Sequence, residues 1–164
     1  MRTTWILGVV YLLGLLGCSE PKRFAPAPFN QAAALTGEMP YDPLHFKVLT
    51  SAVSRKDSSI YTVFGNDRAI EYARSHLQGD YPVGSVISLV TWKQKGDPHW
   101  FGGLIPGQAA SVEFVIVEAG ANQIPQYVYV EYRGTPLKKM TSQPEMLPSD
   151  RAAYLLAQRA AFLP

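Results

Sequence analysis

The chain has 164 residues, 47% hydrophobic and 12% aromatic, enough to fill one core in one ordinary domain. Fifteen Lys and Arg against thirteen Asp and Glu give a net charge of +2. The signs are mixed along the chain, so the basic stripe that nucleic acid requires is absent. Cys18 is the only cysteine, which rules out a disulfide scaffold, a Cys-rich metal site and a thioether-linked haem within this sequence.

The first segment is a targeting pattern. Arg2 precedes an apolar run from Trp5 to Leu16, and Gly17 leads into Cys18. The run is shorter than the roughly 20 apolar residues that a membrane-spanning helix needs. A positive start, an apolar stretch and a small residue at the boundary are the parts of a cleaved signal. Leu15-Leu16-Gly17-Cys18 resembles the lipobox of bacterial lipoproteins. The resemblance implies removal of residues 1–17 and a lipidated, acyl-bearing Cys18. Ser19 in place of Asp implies delivery to the outer membrane, facing the periplasm. Each buried methylene is worth about 0.8 kcal/mol, so several acyl chains anchor firmly. Residues 18–40 carry Pro21, Pro26, Pro28 and Pro40 among alanines. Proline removes backbone donors and favours extended chain, so a flexible tether is expected there. The domain is expected over residues 41–164.

Tyr41 to Thr50 is expected to enter the domain as irregular or short helical chain. Ile60 to Phe64 is β-branched and aromatic, a strand. Asn66 caps a helix from about Asp67 to Leu77, whose buried stripe is Ala69, Ile70, Ala73 and Leu77. Ser85 to Trp92 is nearly all apolar and is expected to be a central strand. Lys95-Gly96-Asp97-Pro98 is expected to turn. Ser111–Ala119 and Gln126–Tyr132 are two further strands, joined by a link too short for a crossover helix, hence antiparallel. Arg133-Gly134-Thr135-Pro136 is expected to end the sheet. A last helix is expected from Asp150 to Phe162 behind Ser149 as cap. The fold class is α+β: an antiparallel sheet with a helix before and a helix after the main strands.

Val63-Phe64-Gly65-Asn66-Asp67-Arg68-Ala69, then Tyr81-Pro82-Val83-Gly84-Ser85-Val86-Ile87 and Trp92, resemble the cytochrome P460 family over about residues 41–162. The family pattern runs strand, Gly-Asn-x-x-Ala helix, Pro-x-Gly-[Ser/Thr] turn, long strand, Trp. The resemblance implies an antiparallel sheet with helices, a tendency to dimerise, and a c-type haem that oxidises hydroxylamine or related nitrogen compounds. It also implies a Cys-x-x-Cys-His run towards the C-terminus and a haem-crosslinking lysine three residues before the tryptophan. Residues 100–164 hold neither cysteine nor histidine, and the lysine position is Leu89. The scaffold signals are kept where the cofactor signals are missing, so no covalent haem is expected, with non-covalent haem left open.

The most unusual remaining segment is Lys95 to Gly107. It sets His99, Trp100 and Phe101 beside Gly102 and Gly103, and these five are the candidate ligand-binding residues. Histidine can act as an acid–base group or ligand near neutral pH, and paired glycines admit a ligand close to the backbone. The plainer role is closure of one end of the core. His76 suits a helix C-terminus and His45 suits the surface, so no metal site is expected. Glu113, Glu118 and Glu131 are expected to face solvent on the strands, where charge blocks edge pairing, with proton relay into a pocket as the other role. Tyr127, Tyr129 and Tyr132 suit cross-strand pairs or a cavity lining. No complete catalytic constellation is found. Three readings remain: a non-enzymatic, lipid-anchored envelope protein that binds a small ligand or partner, a redox enzyme with non-covalent haem on His99 or His45, and a structural lipoprotein without a pocket.

Overall fold

The computed structural model describes residues 30–76, 80–141 and 148–158. Six strands form one antiparallel sheet in chain order: β1 (Lys47–Ser54), β2 (Ser59–Gly65), β3 (Val86–Gly96), β4 (Leu104–Ala119), β5 (Pro125–Arg133) and β6 (Lys138–Lys139). Helix α1 (Asp67–Ser75) joins β2 to β3, and α2 (Pro148–Leu156) follows β6. The architecture is the α+β class that the sequence pattern predicts, with α1 between the Ile60–Phe64 strand and the long central strands as expected.

Alternation along the strands gives the sheet two different faces. On one, Val63, Ile87, Leu89, Val115 and Val117 pack against Ala69 and Ile70 of α1, Tyr81, and Ala152 and Leu155 of α2. On the other, Phe64, Val90, Trp92, Val112, Phe114 and Tyr132 form a second core. That core is covered by Ala33, Leu35, Met39 and Phe46 of the segment ahead of β1. Residues 30–40 are therefore part of the domain, not the end of a loose tether. The indole N–H of Trp92 donates to the Ala33 carbonyl at 3.0 Å, and Asn30 Nδ2 donates to the Pro106 carbonyl at 2.7 Å. Residues 1–29, with Cys18 and the expected signal, lie outside the described residues.

Asn66 explains why the two halves of the sequence signature occur together. Its Oδ1 accepts from the Ala69 N–H at 3.0 Å, capping α1. The same oxygen accepts from the Val86 N–H at 3.2 Å, and its Nδ2 donates to the Gly84 carbonyl at 2.8 Å. One side chain thus ties the helix start to the turn that opens β3. Gly84 has φ +86°, which disfavours any side chain, and a Cβ there would lie 3.1 Å from the Arg68 guanidinium.

Three expectations are corrected by tertiary context. Lys47–Ser54, its first four residues expected as irregular or short helical chain, forms edge strand β1, held by its hairpin with β2 through the Ser54–Asp57 turn. The expected turn at Lys95-Gly96 is strand, and the Gly- and Pro-containing run from Leu104 to Ala110 is the first part of β4. Pro106 is tolerated because β5 ends opposite Ser111, leaving that stretch an edge where no ladder donor is lost. Lys138–Lys139 pairs once more with β5 beyond the expected end of the sheet. The last helix covers Pro148–Leu156 among the described residues, starting ahead of the expected Ser149 cap, and residues 159–162 of the expected span lie outside them.

Candidate functional site

The strand register brings a polar group of side chains onto the helix-covered face. Val63 pairs with Leu89, Leu89 with Glu113 and Glu113 with Glu131. One pleat further along, Tyr61 pairs with Thr91, and Thr91 with Ser111. Partners across a ladder share a face, so Glu113 and Glu131 point to the same side as the aliphatic core. Glu113 is 4% exposed and Glu131 7%. This differs from the solvent-facing role expected for strand carboxylates. The signal lay in the sequence: Glu113 is in phase with Val115 and Val117, both of which are core.

A buried carboxylate needs a partner. Arg151, on α2, supplies it. Its Nε donates to Glu113 Oε2 at 2.9 Å and its Nη2 to Oε1 at 2.6 Å, a two-point clamp. Tyr129 Oη donates to Glu113 Oε2 at 2.8 Å. These bonds hold the Arg151 guanidinium more firmly charged than usual, against the opposing effect of burial. Burial first, then the Glu113 charge, push the Tyr129 phenol well up, so it stays a donor. Glu131 is satisfied by Arg133 on the same strand. The Arg151 guanidinium also lies over the Tyr154 ring, 5.1 Å from its centre.

The clamp forms one wall of an open cleft of about 480 Å³. Its lining includes Ser59, Tyr61, Leu89, Thr91, Arg151 and Tyr154, with the β1–β2 turn at its rim through Ser54 and Asp57. Hydroxyls and a guanidinium over a leucine floor suit a small polar molecule. Burial raises the Tyr154 phenol above its ordinary pKa, so it offers a neutral hydroxyl. A second cleft, of about 350 Å³, lies between residues 31–36 and the β5–β6 turn and includes Gln31, Thr36, Gln108 and Thr135.

The five candidate loop residues sit elsewhere. His99, Trp100, Phe101, Gly102 and Gly103 form the tip between β3 and β4. His99 is exposed, Trp100 is 74% exposed and Phe101 wholly so. None of the five lines either cleft. His76 ends α1, stacked on Tyr72 with ring centres 4.3 Å apart, and His45 lies exposed, 3.8 Å from Asp42. Glu118 is exposed, Tyr127 bonds Asp80, and Tyr132 belongs to the second core. Among the described residues, no three His, Cys, Asp or Glu side chains gather closely enough to hold a metal ion.

The cytochrome P460 family model matches residues 43–147, more than half of the chain. The chain belongs to the cytochrome P460 family. No curated protein matches it. The match spans the whole sheet and α1, and leaves out two of the segments that pack on the sheet, residues 30–42 and α2. The P460 cleft is therefore built partly from family strands and partly from a helix beyond the match.

Cytochrome P460 proteins bind haem, so the donor set can be tested for fit. Leu89, at the position that the resemblance gives to the crosslinking lysine, lines the cleft. No histidine, cysteine or methionine is among the cleft residues, and the described histidines 45, 76 and 99 are all exposed on other parts of the domain. The described residues do not fit a haem held by thioether bonds and an imidazole. Tyr61 and Tyr154 are the aromatic oxygen donors at the cleft.

Proposed function

We propose that this chain is a lipid-anchored protein of the bacterial cell envelope whose P460 domain binds a small polar ligand without a covalent haem. The observation that carries the reading is Leu89. It sits on the floor of an open cleft whose walls offer hydroxyls and Arg151 in place of haem ligands. Cys18, the one thiol, is assigned to the lipid. The anchored orientation is that of a periplasm-facing outer-membrane lipoprotein.

The second reading, haem held without covalent links, is favoured only by Tyr61 and Tyr154 at the cleft. The raised pKa of Tyr154 works against it, because a phenolate is the form that ligates ferric iron. The experiment is an absorption titration of the purified protein with haem, alongside a haem-stained denaturing gel of protein made with c-type maturation machinery. The expected result is a blank gel and no saturable Soret shift. A stained band at the protein's mass overturns the proposal. A saturable one-to-one shift that Tyr154→Phe abolishes establishes the second reading. Mass spectrometry of the membrane-extracted protein tests the anchor: an unmodified Cys18, or cleavage elsewhere, removes it.

A further inference from the structure

The β3–β4 tip pairs two features that neither cleft uses. It is closed by its own bonds: the Asp97 N–H donates to the Gly103 carbonyl and the Gly103 N–H to the Trp100 carbonyl, both at 2.9 Å, while Asp97 Oδ1 accepts from the His99 N–H. Gly102 takes φ +74°, a turn that glycine allows. This defined turn presents Trp100 and Phe101 outward, with exposed Leu104 behind them. Large aromatics held in water at a rigid tip mark an interaction site. The tip also stands forward of the rest of the sheet. β5 stops opposite Ser111 and the β1–β2 turn lies at the level of Gln94, whereas the ribbon continues to Gly96 and Leu104.

The second feature is where the chain enters. Asn30 is bonded to Pro106, on this same ribbon and close behind the tip. From Cys18 to Asn30 the backbone can span at most about 40 Å, at roughly 3.3–3.6 Å per residue. Whatever holds Cys18 thus lies within reach of the tip. The charges behind the tip are Lys95, then Lys93 with Arg55 and Lys56 of the neighbouring turn, all exposed. Their nearest acids are partly committed: Asp97 to the His99 N–H and Asp57 to Ser54.

We propose that the β3–β4 tip is a second membrane contact, with Trp100 and Phe101 seated in the headgroup layer of an anionic bilayer and Lys93 and Lys95 over its surface. Tryptophan favours the membrane–water interface, and basic residues are drawn to anionic headgroups. The inference rests on the lipid-anchored reading for its biological setting. The acyl chains hold the protein, and the tip fixes its orientation. Because Ser54 and Asp57 line the cleft, docking would turn the rim of the cleft towards the membrane.

The test uses the chain from Cys18 onward, which contains every described residue and so both cores. Its single thiol is coupled to maleimide-headgroup lipid in vesicles, which supplies the anchor whether or not cells add one. The vesicles contain phosphatidylglycerol and bromine-labelled acyl chains. Tryptophan emission should be quenched for Trp100 and spared for Trp92, which is 5% exposed. Trp100→Ser should abolish the quenching. Uncoupled protein should sediment with anionic vesicles, and Lys93→Glu with Lys95→Glu should weaken that binding about tenfold or more, given about 1 kcal/mol per basic residue near the surface. Unquenched emission in the coupled protein overturns the proposal. So does quenching that survives Trp100→Ser, or protection of Trp100 in solution by self-association without vesicles. Failure of lipidation at Cys18 in cells leaves these outcomes unchanged, so the two ideas fail separately.

Discussion

The two faces of the sheet are covered by different means. The face under residues 30–46 is apolar apart from the buried Ser88 hydroxyl: Phe64 and Trp92 meet edge to face, as do Phe114 and Tyr132. A simple strap of chain suffices to close it, because nothing on that face requires an exact charge partner. The helix-covered face changes character along its length. Around Ile87, Val117 and Ile70 it is a dry core. Around Glu113, Glu131 and Thr91 it is polar, and among the described residues of α2 Arg151 and Tyr154 line the cleft there. The cleft lies beside charged groups, Glu113 and Arg151, that already have partners. The family match spans the sheet, α1 and Phe46, and leaves out residues 30–42 and α2. Variation in the covers is thus a physical route by which one P460 scaffold can keep its fold and change its site.

The largest effect should come from breaking the clamp on the helix-covered face. Arg151→Met leaves Glu113 buried with only the Tyr129 hydroxyl. Removing one partner of a buried ion pair costs about 3–5 kcal/mol, whereas replacing both by apolar residues is near neutral. Urea unfolding should therefore show a large loss for Arg151→Met and most of it recovered in Glu113→Leu with Arg151→Met. If the double variant is no better than the single, the pair does not behave as a desolvated unit. The cleft would then have to be regarded as wetter than its geometry implies.

How much of this was legible in the sequence follows from the range of each interaction. The central strands, α1 and its Asn66 cap were readable because their causes are local: β-branched runs, a 3.6-residue stripe and a capping side chain. β1 was not, because Lys47–Ser54 is a mostly exposed edge whose strand form depends on pairing with β2. Leu104–Ala110 was not, because Pro106 and Gly107 read as a turn unless it is known that β5 stops short of them. The site divides in the same way. The phase of Glu113 with Val115 and Val117 was visible in the sequence. Its partner Arg151, 38 residues away, became visible only in three dimensions. The aromatic loop was conspicuous in sequence, and the structure puts it at an exposed tip away from both clefts.

The second prediction concerns the strapped face. Trp92 is the point at which the strap is fastened, through the Ala33 carbonyl. Trp92→Phe keeps an aromatic ring in the core and removes the donor. The expected loss is about 1–3 kcal/mol, the cost of a lost hydrogen bond with its acceptor left part-buried. Hydrogen exchange should quicken for residues 30–40 and stay unchanged around Glu113 and Arg151. Equal quickening on both faces would mean that the covers are coupled through the sheet, and the contrast between them would fail.

The smallest effect tests the dry end of the helix-covered face, opposite the cleft. Tyr127 donates its hydroxyl to Asp80 Oδ1 at 2.9 Å. Burial first, then this bond and the Asp80 charge, push its pKa up to about 12. The unfolded value is about 10. A folded pKa above the unfolded one means that the native state holds the proton more tightly. Its stabilising contribution is complete below about pH 10 and is lost as pH rises towards about 12. Tyr127→Phe should cost about 1 kcal/mol at neutral pH, the net worth of one hydrogen bond. The gap between the two proteins should then narrow across the alkaline window, where the wild-type unfolded state gains from ionisation and the variant does not. Tyr129 and Tyr154, also raised, are present in both proteins and cancel in the difference. A gap that stays constant from neutral pH through the alkaline window would show that the Tyr127–Asp80 bond is not formed in solution, and that this end of the face is held by its apolar contacts alone.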